Sequence, residues 1–388
     1  MNLRKVRKDS RVPSRSFRGV AAMIVMTLLL VACSGNEASD TTQTGGTDTP
    51  APSEVIRLNF SSHVPQGSAE MVISEWFMDR VTELTGGQVV FDRQFSAALV
   101  GGADVFAAIQ DGVTQSGYHA AFYQPVEFPL SQVAGIPFIT DDSEAFVRAF
   151  GKMFDENSAF QDEYIRNGVR PLVFLNLSSQ SIGTAKRLQG FQDLEGLRLR
   201  AGGLTVNAIN AVGGEAIALA ANELYEALSR DVLDGWASVP MSTSQTFGLT
   251  EVRQYVHHFG AGQYVAVTWM ISEDVWQSFT DDIRAAFLQA RQEVVAFGTE
   301  TTMAVDAQAC DNVLADGAEV IVWEQSAMDA FRDEVQADII EAWLSTVESA
   351  GTDRDAAQEF LDEFISSVRQ FEAESNYQDG MRLCAARG

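Results

Sequence analysis

Two periods alternate along this chain. Ile56, Leu58 and Phe60 interleave with Arg57 and Asn59, a period of two that predicts a strand with one buried face. After a turn carrying Pro65 and Gly67, Met71, Val72, Trp76, Phe77, Val81 and Leu84 recur at helical spacing, and Gly86-Gly87 supplies a stop. A strand over 88–95 and a helix over 104–110 follow. The same alternation returns in strands at 172–177, 197–200 and 216–219, helices at 205–211 and 222–229, and a further strand beginning at Gly235. Strands and helices alternating at this size predict an α/β fold with mainly parallel sheets. The last third differs: residues 281–315 keep helical periodicity through Ile283, Phe287, Val294 and Phe297 without a proline. That is enough for about 50 Å of helix at 1.5 Å per residue. A strand at 319–323 and amphipathic helices at 327–350 and 354–373 complete the pattern.

The N-terminus breaks from it. Seven basic residues (Arg4, Lys5, Arg7, Lys8, Arg11, Arg15, Arg18) precede an apolar run from Val20 to Leu30, ending in Leu30-Val31-Ala32-Cys33. A positive leader, a short apolar core and small residues before a cut are the parts of a secretory signal peptide. The run is short of the roughly 20 residues a membrane span needs. Leu-Val-Ala-Cys resembles a bacterial lipobox, which implies acylation of Cys33 and an anchored mature protein on the periplasmic side. From Ser34 to Ser53 no large apolar residue appears, so this stretch is expected to be a flexible tether.

Charge narrows the partners. The whole chain carries −26 and residues 1–32 hold seven basic groups against Asp9, which leaves −32 on the remainder. Nucleic-acid binding needs the opposite sign and is excluded. An anionic ligand would have to be caught by a local arginine inside a cleft, because long-range steering repels it. With Cys33 acylated, Cys310 and Cys384 remain; an even pair in an oxidising compartment points to a disulfide, though spacing alone cannot bring the sulfurs together. His63, His119, His257 and His258 show no metal-ligand spacing. No Gly-x-Ser-x-Gly elbow, His-Glu-x-x-His, Walker loop or Gly-x-Gly-x-x-Gly after a strand occurs, so nothing argues for an enzyme or a cofactor.

Residues 193–240 carry the most information. They read D-L-E-G-L-R-L-R-A-G-G, then G-G-E-A-I-A-L-A-A-N-E-L-Y-E-A-L-S-R-D-V-L-D-G-W-A-S-V-P. This resembles the signature of the TRAP-transporter solute receptors, the DctP family of extracytoplasmic binding proteins. Gly196, Arg200, Gly213, Glu223, Tyr225, Ala227, Leu228, Asp234 and Gly235 fall in place. The segments 56–87, 107–112 and 128–138 look like the family's N-terminal lobe, and 249–276 like the segment returning towards it.

The resemblance implies two α/β lobes around a ligand cleft, braced by the long helix. The expected boundaries are 1–32 signal peptide, 33–54 anchor and tether, 55–177 plus 266–310 lobe I, and 178–265 plus 311–388 lobe II. It makes Arg200 the carboxylate determinant. Physically this fits: Arg200 ends a strand running into small residues Ala201-Gly202-Gly203, and a guanidinium can hold a carboxylate through two parallel N–H bonds. Ser61 and His63 after the first strand, Tyr118 in the 118–122 loop, and Ser238 are carried over as further pocket positions. Ser179 and Gln180 stand where some members bring a second arginine, which disfavours dicarboxylates and sialic acid; Ser179 is kept as a pocket position. Trp236 and Trp269 are candidate walls of an apolar pocket, and Glu223, Asp234 and Gly235 are expected to be structural. The implied function is a lipid-anchored receptor that hands a small organic acid, most simply a monocarboxylate, to the membrane subunits of an ion-driven permease. The competing reading is a sensor subunit presenting a bound metabolite to a signalling partner.

Overall fold

The computed structural model describes residues 55–387. Eleven strands are present among them: β1 (Ile56–Ser61), β2 (Val89–Gln94), β3 (Ser116–Ala120), β4 (Val169–Phe174), β5 (Gln180–Thr184), β6 (Arg198–Ala201), β7 (Glu215–Ala218), β8 (Gly235–Pro240), β9 (Tyr255–His258), β10 (Val267–Ser272) and β11 (Glu319–Val322). They sort into two sheets, ordered β2-β1-β3-β10-β4 and β11-β9-β5-β8-β6-β7. The signal peptide, Cys33 and the tether fall outside the described residues.

Each sheet is mixed, where the alternation of elements predicted mainly parallel pairing. β10 runs antiparallel to both β3 and β4, and β5 antiparallel to both β8 and β9, while β1, β2 and β3 are mutually parallel, as are β6, β7 and β8. The cause is connectivity. β5 is laid down as the chain leaves the first sheet and β10 as it returns, so each crossing deposits one reversed strand.

Local sequence explains the elements. In β1, Leu58 and Phe60 are buried as the alternation requires. Helix Ala69–Leu84 is capped by Ser68, whose hydroxyl accepts from the Met71 N–H, and buries Met71, Phe77 and Val81. It ends with the Gly87 N–H on the Thr82 carbonyl and positive φ at Gly86 and Gly87, the residue type that adopts this backbone without strain.

Helix Asp281–Ala315 touches both lobes. Its first half (Ile283, Phe287, Ala290, Val294) packs with Phe60 and Trp269 of the first sheet and Phe77 of helix Ala69–Leu84, and its last turns (Ala309, Cys310, Val313) pack with Trp236 and Val256 of the second. Between them Gly298 lets the helix pass the chain crossing closely, since a Cβ there would lie 2.3 Å from the Asn176 side-chain oxygen. Helix Gln325–Ser349 begins in the second lobe's core, with Phe331, Val335 and Ile339 beside Leu199 and Phe259, while its C-terminal part and helix Arg354–Glu372 lean back on lobe I. Trp343, Val347, Phe360 and Phe364 share a core with Phe146, Phe150, Phe160 and Phe174. Their amphipathic pattern fixes a buried face but not which lobe covers it. Among the described residues no helix is long and apolar enough to cross a membrane.

Candidate functional site

β6 delivers Arg200 to the seam between the lobes. The strand is flanked by β7 and β8, and Arg200 is only 1% exposed. Its Nε donates to the Leu219 carbonyl at 2.9 Å and one terminal nitrogen to the Ser238 carbonyl at 3.0 Å. The Phe122 ring of the first lobe lies 5.7 Å from the guanidinium carbon. Among the described residues no carboxylate lies within ion-pair distance of it, whereas Arg198, two residues earlier, is clamped bidentately by Asp234 at 2.9 and 3.0 Å. A buried guanidinium held only by neutral carbonyls keeps its full charge for an anion.

Around it lies a small pocket shared by both lobes. The first lobe contributes His63, Glu70, Tyr118, Phe122 and Tyr123; Arg200, Ala221, Ser238 and Thr243 face them, with Tyr264 from the returning chain. The space is small: about 30 Å³ admits the centre of a water-sized sphere. At the pocket the lobes are joined by hydrogen bonds: the Thr243 hydroxyl donates to the Glu70 carboxylate at 3.2 Å, and the Ala221 N–H donates to the Tyr123 hydroxyl at 3.3 Å. The lobes are therefore in contact over the pocket. A larger surface groove of about 470 Å³ also contains cations, but Arg148, Lys152 and Arg291 there are all paired with acids.

Burial sets the protonation of the lining. His63 is held down to about 3 by burial, then by the charge of Arg200 and the neighbouring His119, so its imidazole is neutral. Its Nδ1 has no partner among the described residues. Glu70 is pushed above the ordinary carboxylate range by burial, against its own backbone N–H and the Ser68 and Thr243 hydroxyls. The Tyr118 phenol is raised well above its usual value, first by burial and then by Glu70.

The pocket gathers Arg200, Ser238, His63 and Tyr118 from the expected residues. Four others it leaves out. Trp236 is buried in the second core, its indole N–H on the Ser181 hydroxyl at 3.1 Å and its ring filling the space left by Gly183, where a Cβ would come within 2.0 Å. Trp269 stacks on Phe60 in the first core. Ser61 is enclosed between β2 and β3, and the chain reaches the pocket only at His63. Ser179 faces Asp141 at 3.3 Å, and Gln180 takes the Thr205 hydroxyl at 3.1 Å; neither lines the pocket. Glu70, Tyr123, Thr243 and Tyr264 were not foreseen. The signal for Glu70 was concealed, because an acid two residues after Ser68 reads as ordinary helix-start chemistry.

Cys310 and Cys384 form a disulfide with Cα atoms 5.5 Å apart, tying the end of the long helix to the short helix Gly380–Ala385. No group of three or more His, Cys, Asp or Glu among the described residues is arranged to hold a metal ion.

Two α/β lobes meeting over a pocket that holds a buried guanidinium have the arrangement of an extracellular solute-binding protein. Residues 60–345 match the family model described as bacterial extracellular solute-binding protein, family 7, DctP, and the chain belongs to that family. The chain is 23% identical over 339 residues to a monocarboxylate 2-oxoacid-binding periplasmic protein of a Nostoc species, covering 84% of this chain and 88% of that one. Its fold is that of a TRAP solute-binding protein from Rhodoferax ferrireducens in complex with copurified benzoate. The TM-score there is 0.74 at 20% identity, over 82% of this chain and 99% of the other. A TRAP periplasmic protein from Bordetella bronchiseptica with bound mandelate gives a TM-score of 0.71 at 23% identity, over 81% and 99%.

Proposed function

We propose that the protein is the receptor of a TRAP transporter for a small monocarboxylate, which it delivers to an ion-gradient-driven permease, and that Cys33 anchors it by acyl chains. The observation that carries this reading is Arg200: buried, charged, and supported only by two backbone carbonyls. One unpaired guanidinium in a pocket this small suits one carboxylate on a compact ligand. The Nostoc relative named for monocarboxylate 2-oxoacids and the benzoate and mandelate complexes agree with that class.

The test is titration calorimetry with the acid that co-purifies, on the wild type, Arg200→Lys and Arg200→Ala. Removing one partner of a buried ion pair typically costs about 3–5 kcal/mol, or on the order of 10²- to 10³-fold in affinity. Lys should recover only part, since an ammonium lacks the planar fork. Equal affinities across the three proteins would remove the carboxylate reading.

A further inference from the structure

The pocket holds a second ionisable group that a bare monocarboxylate does not explain. Glu70, on the first turn of helix Ala69–Leu84, is 2% exposed and lines the same small space as Arg200. Among the described residues no Arg, Lys or His lies within ion-pair distance of it, and the hydroxyls within its reach are those of Thr243 and Ser68. A carboxylate has about four acceptor sites, so two hydroxyls and its own backbone N–H leave acceptor capacity over. His63, on the same wall, has a neutral ring with Nδ1 unpartnered. Burial disfavours the charged form of Glu70, and a ligand carboxylate docked on Arg200 adds a negative charge nearby. The Glu70 carboxylate is kept when the ligand itself turns a donor towards it.

Resting on the organic-acid reading, we propose that Glu70 is a specificity residue, and that the ligand is a carboxylate also carrying a hydrogen-bond donor, a hydroxyl or an ammonium, which Glu70 accepts. Arg200 then anchors one end and Glu70 reads the other. An acid whose second group is an acceptor only, such as a 2-oxo acid, places its oxygen lone pairs against those of Glu70. Closure couples to this, because the Thr243 hydroxyl on Glu70 belongs to the opposite lobe.

The test is calorimetry with lactate, alanine, pyruvate and propionate, and with 3-hydroxybenzoate against benzoate, on the wild type, Glu70→Leu, Glu70→Gln and Arg200→Ala. A hydrogen bond to a charged group is worth about ten- to a hundredfold in affinity. At least one donor-bearing acid should therefore bind the wild type about that much tighter than its donor-free counterpart. The ratio should fall towards one in Glu70→Leu and partway in Glu70→Gln, which keeps an acceptor oxygen and the side-chain shape. Lactate and alanine separate hydroxyl from ammonium. A donor-free acid binding as tightly as its counterparts, or a ratio unmoved in both Glu70 variants, would overturn the proposal while leaving the carboxylate reading standing. If Arg200→Ala binds every acid as the wild type does, the carboxylate reading fails first and this one with it.

Discussion

The Ser238 carbonyl accepts the Arg200 guanidinium at 3.0 Å, from a residue whose backbone sits at φ 59°. A serine in this left-handed region stores strain on the order of 1–2 kcal/mol. Its hydroxyl is engaged with the Gly202 N–H at 3.2 Å and the Gly202 carbonyl at 3.3 Å, which pins the turn that aims the carbonyl. Strain beside a ligand-binding group is where structure over-determines the backbone for function.

Substituting this serine should therefore separate stability from binding. Ser238→Gly relieves the strain and should hold stability within about 1 kcal/mol of the wild type, while weakening ligand affinity by loosening the Arg200 support. Ser238→Val, β-branched at positive φ, should cost about 2–3 kcal/mol relative to Gly. Urea unfolding with parallel ligand titration reads both; a valine variant as stable as the glycine one would refute the strain.

The disulfide should matter moderately. Cys310 and Cys384 are 74 residues apart, and both are 1% exposed beside Trp236 and Met381. Closing a loop of that length stabilises by about 2–4 kcal/mol. Cys310→Ala with Cys384→Ala should lower the melting temperature by roughly 3–6 °C for a chain of this size. The wild type should show no free thiol at these positions under non-reducing mass analysis, and an unchanged melting point in the double variant would mean the bridge contributes nothing.

Much of this was legible beforehand where a local rule decides. The alternation around Leu58 and Phe60, the Ser68 start and the Gly86-Gly87 stop needed only neighbours in sequence, and the two strands bracketing Arg200 followed from the same periods. What escaped was long-range. Trp236 shares a strand with Ser238, yet it sits opposite the irregular pairing between Ser181 and Gly183 and turns into the core. Glu70 became a pocket residue only through Thr243, 173 positions away. The amphipathic face of Arg354–Glu372 was plain, but its partner, the cluster around Phe150, was not.

Anchoring is tested at Cys33, outside the described residues. If Cys33 carries acyl chains, Cys33→Ser should release the protein from the membrane fraction or leave it unprocessed, since a single chain binds only marginally and stable attachment takes more than one. Fractionation of cells expressing each form decides it. A variant that remains with the membranes as the parent does would end the lipoprotein reading.

Asp306 gives the sharpest pH prediction. It lies on the long helix, wholly buried, with its Oδ2 taking the Ser178 hydroxyl at 2.5 Å where the chain crosses between lobes, and its Oδ1 unpartnered among the described residues. Burial pushes its carboxyl up to about 7, helped by the charges of Asp379 and Glu70 and opposed by the Ser178 and Ser242 hydroxyls. The folded state then keeps a proton that the unfolded chain has lost between about pH 4 and pH 7. Stability from this group is present at the acid end, falls as pH rises through that window, and stays low above it. His63, His119 and His257, held down to about 3, 4 and 4 by burial, slope the other way below their ordinary value. Glu163, raised to about 7, slopes with Asp306. The whole-protein curve therefore mixes them, and the difference between Asp306→Asn and wild type isolates the one group. That difference should move in the variant's favour from pH 4 to pH 7, by on the order of 4 kcal/mol at most, and then level off. Urea unfolding at half-unit pH steps measures it, and a flat difference would show that Asp306 is ionised throughout.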